Sequence, residues 1–275
     1  WSPVDIYVGG AEHATRHLIY ARFWHKFLYD IGVVSTLEPF TELHSVGLIL
    51  ATDGRKMSKR YGNVINPDDI VEKNGADTLR VYEMFMGPFD NTIAWDTNNL
   101  VGAQRFLERA NGLSEHARKA EQKEITTLLH QTIEKVTRDI ESFKFNTATS
   151  ALMIFVNAAE KEGLSQESYK IFLRLLAPFA PHLADELWEA AGEKTSVHRA
   201  PWPVADKTLL VKDTVVIAVQ IDGKVRATIE VSADADEQSA VEGTKNQKNI
   251  GEHLKERQIA RIVYVPRRVI NFITK

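Results

Sequence analysis

The chain has 275 residues, 44% hydrophobic and 26% charged, with a formal net charge of −3, the make-up of a globular protein of about two domains with a sizeable core. It contains no cysteine, which excludes disulfides, thiol catalysis and cysteine-based zinc sites within it. No apolar run approaches about 18 residues and no signal-peptide pattern occurs, so no membrane contact and a cytoplasmic location are expected. Charge is unevenly spread: from Val211 to Lys275 there are 11 Lys and Arg against 9 Asp and Glu, a direction that suits a tail meeting a polyanion. The chain opens Trp1-Ser2-Pro3 and not with Met, so a piece of a longer protein is expected.

From Trp1 to about Asn99 the expected pattern is α/β. Asp5-Ile6-Tyr7-Val8 reads as a strand ending at Gly9-Gly10, and apolar residues at helical spacing predict a helix from about Thr15 to Ile31. Ser45 to Leu50 reads as a short buried strand. The stretch ATDGRKMSKRYGN follows, from Ala51 to Asn63, with Arg55, Lys56, Lys59 and Arg60 close together and turn residues on both flanks. Asn66-Pro67-Asp68-Asp69 is a helix start: Asn66 as N-cap, Pro67 at the first helical position, and two acids at the positive end. Gly75 ends that helix, and another is expected from about Ala76 to Met86.

From residue 100 to 192 the pattern is all-helical, with helices expected at 100–118, 123–141, 145–161, 165–177 and 181–191, an antiparallel bundle. Residues 193–210 form a connector holding Pro201-Trp202-Pro203. Residues 211–275 read as a small α+β module. Strands at 214–220 and 224–231 are joined through Asp222-Gly223, a hairpin signal. A polar helix is expected at 236–256, and two more strands at 261–265 and 269–274.

Two segments carry chemistry. Gly9-Gly10-Ala11-Glu12-His13-Ala14-Thr15-Arg16-His17 lies at a strand-to-helix junction, where glycines admit a ligand to the backbone and where ligands sit in open α/β sheets. On one continuous helix His13 and His17 would share a face. A nucleotide site, a zinc site made by Glu12, His13 and His17, and ordinary capping and packing are all open readings of this junction. The cationic loop can neutralise a triphosphate and a leaving pyrophosphate, or be a solvated basic turn. It is not a Walker A loop.

Lys56-Met57-Ser58-Lys59-Arg60 resembles the K-M-S-K-S signature of class I aminoacyl-tRNA synthetases. The Gly-Gly-x-Glu-His segment with its second histidine resembles leucyl-tRNA synthetases in particular. Further similarity lies in YGNVINPDDIVEKNGADTLRVYEMF, LLAPFAPHLADELWE and VQIDGKVRA, so the resemblance spans nearly the whole chain. It implies a Rossmann-like half of a catalytic domain over 1–99, an anticodon-binding-like bundle over 100–192, a linker over 193–210 and a tRNA-binding α+β module over 211–275. It implies ATP-dependent activation of leucine to leucyl-adenylate, with Mg2+ accompanying ATP, and transfer to tRNA(Leu), by a monomer. No metal site made by the chain itself is implied.

The resemblance also implies roles. Gly9, Gly10 and Glu12 would line the adenosine and ribose site, and His13 would face the adenylate. His17 and Tyr7 would shape the leucine pocket. Gly47, Leu48 and Ile49 would offer backbone to the adenine. Lys56 and Lys59 would meet the ATP phosphates, with Met57 and Ser58 setting the loop. Arg105 and Arg109 on the first bundle helix, and Lys224, Arg226, Arg261, Arg267, Arg268 and Lys275 in the tail, are candidates for tRNA contact, each against the plain alternative of a solvated surface charge.

The chain departs from the family pattern in four places. Arg60 stands where the signature usually ends in serine. The H-I-G-H motif and the editing insertion are both absent. Arg267 and Arg268 make the last turn more cationic than in relatives. Without the H-I-G-H half, these residues alone are expected to be inactive in adenylate formation. A free-standing, non-catalytic RNA-binding relative of a synthetase is the alternative, and a different nucleotidyl transferase using the same loop is a third reading.

Overall fold

The structure is a computed structural model that describes residues 2–117, 122–210, 214–232, 236–245, 250, 259–266 and 268–274. The chain divides into two compact units, Trp1–Ala205 and Asp206–Lys275.

The first unit opens with β1 (Val4–Gly10), a short 3-10 turn over Ala11–Thr15, α1 (His17–Asp30) and β2 (Phe40–Val46). β1 and β2 run parallel, with Gly9 opposite Ser45 and Gly10 opposite Val46. Parallel neighbours need a crossover connection, and α1 lies in it. This layer leaves much apolar surface open. α1 buries only His25, while Phe23 is 70% and Trp24 58% exposed. His25 is held by Thr36, whose backbone oxygen lies 2.8 Å from His25 Nε2.

The single strand expected over 45–50 is two strands. β2 stops at Val46, and β3 (Ile49–Leu50) pairs in parallel with β4 (Ile93–Ala94). The cause sits at Gly47. A Cβ there would fall 1.8 Å from the Asn91 carbonyl oxygen, so only glycine lets this segment close against the chain. The Gly47 N–H then donates to Phe89 O at 3.1 Å.

α2 (Pro67–Asn74) starts as the sequence predicts, with Asn66 Oδ1 accepting from Asp68 N at 3.2 Å and Pro67 at the first position. Gly75, at φ 86°, ends it and leads into α3 (Ala76–Phe85). α4 (Thr97–His116) begins three residues before the expected 100. Asp96 accepts the Asn98 N–H at 2.9 Å and caps it early.

The bundle continues with α5 (Lys123–Glu141), α6 (Phe145–Glu162), α7 (Gln166–Leu176) and α8 (Pro181–Ala190). Its apolar faces close one core, with Phe155 stacked on Phe172 at 5.5 Å and both fully buried. Each such ring contributes about 1.5–3 kcal/mol by leaving water. The core runs without a break from α3 to the bundle. Two further links join them: Arg80 donates to Pro178 O at 2.7 Å, and Asp77 accepts from Leu183 N at 2.7 Å. Phe143, at φ 56°, stacks on His44 of β2 at 4.2 Å. After the bundle, Trp202 Nε1 donates to Thr137 Oγ1 at 2.8 Å.

The second unit holds a short α9 (Lys207–Leu210), β5 (Thr214–Ile221), β6 (Lys224–Ser232), α10 (Glu237–Lys245), β7 (Ile259–Val265) and β8 (Val269–Thr274). The four strands form one sheet in the order β6-β5-β8-β7. Ile217, Val219, Ile270 and Phe272 are its buried centre. The predicted hairpin is present: Asp222 at φ 51° and Gly223 at φ 77° make the tight turn. Asp222 Oδ1 also accepts the Thr274 N–H at 2.8 Å. Most of the expected helix beyond residue 245 lies outside the described residues.

Candidate functional site

The carboxyl end of β1 gathers one group of predicted residues. Tyr7 Oη lies 3.0 Å from His17 Nδ1, and the two rings stack at 5.4 Å with an interplanar angle of 14°. Phe40 of β2 closes on Tyr7 at 4.7 Å, and Tyr20 meets His17 edge-on at 4.9 Å. Neither Phe40 nor Tyr20 was legible as a site residue, because nothing local marks a strand side chain as the neighbour of a histidine on the next helix.

His13 and His17 do not share a helical face. His13 sits in the 3-10 turn, and Arg16, at φ −126° and ψ −99°, breaks the chain before α1 begins at His17. Their rings meet edge-on at 6.4 Å. Among the described residues no group of three His, Asp or Glu is arranged to hold a metal ion. The zinc reading of Glu12, His13 and His17 therefore has no geometric support. His13 Nδ1 is buried with no hydrogen-bond partner among the described residues. Gly9 and Gly10 end β1 just before the 3-10 turn that holds His13, and Glu12 in that turn is exposed.

The chain leads from this end of β1 to the loop through two separate two-stranded sheets, β1-β2 and β3-β4. Gly10 is opposite Val46, Gly47 and Leu48 follow, and Leu50 of β3 bridges to Lys56. The Leu48 carbonyl accepts from Ile93 N at 3.0 Å and the Leu50 carbonyl from Trp95 N at 2.9 Å. Parallel alternation turns the Ile49 peptide groups to the other edge. The backbone of Gly47 and Leu48 is thus largely committed to residues 89–93, whereas Ile49 faces away from them.

The loop has internal order. The Asp53 carboxylate accepts from Arg55 Nη2 at 2.6 Å and from Arg55 N at 3.0 Å. The Arg55 guanidinium, mainly through that side-chain hydrogen bond, holds Asp53 below the usual carboxylate range. Arg55 also lies over the Tyr61 ring at 4.9 Å. The Asn63 Oδ1 accepts from Ser58 N at 2.9 Å. Ser58 Oγ in turn accepts from Arg60 N at 3.2 Å, capping the turn Lys59–Tyr61, and Gly62 at φ 63° closes it. Met57 packs against the core. One of the four cations is therefore neutralised, while Lys56, Lys59 and Arg60 have no ion pair among the described residues. Asp53 and Asn63 look like plain turn residues in the sequence, and only their contacts show that they shape the loop.

The remaining candidates scatter. Arg105 is exposed with no ion pair among the described residues, whereas Arg109 grips Glu160 through both Nε and Nη2. Lys224 and Arg226 lie on β6 and Arg261 on β7, the two edge strands of the second sheet. Arg268 is exposed in the turn before β8. Arg267 and Lys275 lie outside the described residues.

Residues 3–96 match the family described as tRNA synthetases class I (I, L, M and V), and residues 122–241 match the anticodon-binding domain of tRNA ligase. The chain belongs to the class I tRNA synthetases. All of it aligns with the Agrobacterium radiobacter K84 agnB2 leucyl-tRNA synthetase, seen in a ternary complex with tRNA and LeuAMS, at 34% identity and a TM-score of 0.79. This chain spans 38% of the length of that one. Within the class I synthetases it is thus a leucyl-type chain, and its α/β layer, helical bundle and small C-terminal sheet are the fold the resemblance implies. No helix among the described residues is long and apolar enough to cross a membrane.

Proposed function

We propose that this chain supplies the ATP-phosphate clamp and the tRNA-facing bundle and tail of a leucine–tRNA ligase. The observation that carries this reading is the loop. Among the described residues Lys56 and Lys59 have no carboxylate partner, and their backbone is held by Asn63, Ser58 and Met57. Cations kept free on an ordered loop are prepared for an anion brought from outside.

The residues fit a nucleoside triphosphate. Lys56 and Lys59 would neutralise its phosphates and the charge that grows on the departing pyrophosphate. Gly9 and Gly10 would let the nucleoside approach the end of β1, Glu12 would accept from the ribose hydroxyls, and the unpartnered His13 Nδ1 would meet the adenylate. Ile49 would present backbone to the adenine. Tyr7, whose Oη lies 3.0 Å from His17 Nδ1, would orient His17 beside the leucine side chain. ATP supplies the phosphorus that the leucine carboxylate attacks, and Mg2+ would come with the phosphates. No side chain forms a covalent bond, so rate comes from position and charge.

The match to an anticodon-binding domain and to a synthetase crystallised with tRNA supports tRNA(Leu) as partner. We place the protein in the cytoplasm as a monomer. The open apolar face of α1 and β1 supports a requirement for further protein over this layer. The 275-residue chain alone is therefore expected to show almost no leucine-dependent pyrophosphate exchange, and exchange at ordinary enzyme rates would refute that.

The decisive variant is Lys59→Ala in the longer synthetase that contains this chain. Loss of one charge-stabilising donor should lower kcat for exchange by about 100- to 1000-fold, with little change in leucine KM. An unchanged kcat would remove Lys59 from the phosphate clamp, and no exchange by the unsubstituted longer protein would turn the reading toward a non-catalytic RNA-binding protein.

A further inference from the structure

We infer that the cleft between α3, β4 and α4 takes one unpaired nucleotide of a bound RNA. This rests on the tRNA-binding reading above and adds a site to it. The cleft measures about 490 Å³, a size suited to a small organic ligand.

Its lining is the kind that holds a base. Phe85, at the end of α3, is 40% exposed, and Val101 on α4 is 44% exposed; both line the cleft. An open aromatic ring beside an aliphatic wall is a stacking platform that every base satisfies. Asn98 and Asn99, on the first turn of α4, add two carboxamides. Neither side chain has a hydrogen-bond partner among the described residues. Carboxamides can donate to and accept from a base edge at once.

Backbone and charge point the same way. The N–H groups of Ile93 and Trp95 go to the carbonyls of Leu48 and Leu50, so alternation turns the Ala94 peptide groups to the opposite edge, and Ala94 lines the cleft. Arg105 follows Asn98 by seven positions and shares its helical face. It is the only charged residue of this lining, and no Asp or Glu accompanies it. Two other clefts in this unit pair a cation with an acid, Arg80 with Glu83 and Lys144 with Asp90, and a third carries Glu115. In a chain of net charge −3, a cleft with a lone cation suits a base with its phosphate.

The test uses the full 275-residue chain and a transcript of leucine tRNA. Binding is measured for the wild type, Phe85→Leu, Asn98→Ala and Arg105→Ala, with thermal unfolding to confirm that each folds. The exposure of these residues makes folding robust to their loss. Phe85→Leu should weaken binding by about 5- to 150-fold with an unchanged salt dependence, while Arg105→Ala should lower the salt slope by about one. A single-stranded oligonucleotide should compete and a blunt RNA duplex of the same length should not. Phe85→Leu and Asn98→Ala within twofold of a wild type that binds would overturn the site and leave the tRNA reading standing. No binding by the wild type would overturn both. Saturable binding of free adenosine monophosphate, lost in Phe85→Leu, would reassign the cleft to a free nucleotide and overturn the RNA assignment.

Discussion

Asp77 of α3 accepts the backbone N–H of Leu183 at 2.7 Å and that of His182 at 3.4 Å, so a carboxylate on one helix caps the start of another. α8 lacks a side-chain cap of its own: Ala180 stands at its N-cap, and Pro181 has no N–H. Asp77, at 8% exposed, thereby ties the α/β layer to the bundle.

Replacing Asp77 by alanine should destabilise the protein by about 1–3 kcal/mol, the cost of leaving buried donors unpaired. Asp77→Asn keeps one acceptor oxygen and should cost less. Urea unfolding checks both, and equal losses would argue against a capping role.

Asn63 is the clasp of the cationic loop. It accepts from Ser58 N and donates to Lys56 O at 3.4 Å. Asn63→Ala should leave global stability within about 1 kcal/mol but speed tryptic cleavage after Lys56, Lys59 and Arg60 several-fold. Unchanged cleavage would mean that the loop's shape does not depend on this side chain.

Arg109 and Glu160 form an exposed pair, and the Arg109 guanidinium, mainly by its hydrogen bonds, holds the Glu160 carboxyl below the usual range. A depressed carboxyl pKa contributes stability above the unfolded value, near 4.3, and loses it as pH falls through the folded value. Arg109→Ala should thus cost up to about 1 kcal/mol at neutral pH and nothing in strong acid. A cost that persists below both values would point to packing by the guanidinium stem.

Tyr169 is 2% exposed, and its hydroxyl has no partner among the described residues. Burial pushes its pKa up to about 12. Tyr169→Phe removes an unsatisfied polar group and should stabilise by up to about 1–3 kcal/mol. The unfolded chain loses its phenol proton first, near pH 10, so the wild type should lose stability from about pH 10 upward. The phenylalanine variant should lack that part of the decline, and identical alkaline profiles would argue against a buried phenol.

The sequence by itself determined what depends on near neighbours. Asn66, Pro67 and Gly75 set the bounds of α2 because caps and turns are decided within one helical turn. Asp222-Gly223 set the hairpin because only residues tolerant of positive φ fit its tight turn. The 3.6-residue periodicity located α5 at 123–141 and put α6, α7 and α8 within a few residues of their ends. The resemblance of Lys56 to Arg60 and of the Gly-Gly-x-Glu-His segment was a matter of residue order alone.

Tertiary structure decided whatever depends on residues far apart in the chain. A run that reads as one strand became β2 and β3 because Asn91 closes on Gly47. His13 and His17 parted because the chain breaks its helix at Arg16. Arg105 and Arg109 look alike in sequence, yet Glu160 neutralises only the second. Lys224 and Arg261 lie in one C-terminal stretch of sequence, and strand order sets them on opposite edges of the sheet. A side chain's periodicity records which face it lies on, but its partner comes from another element, and no local pattern encodes that meeting.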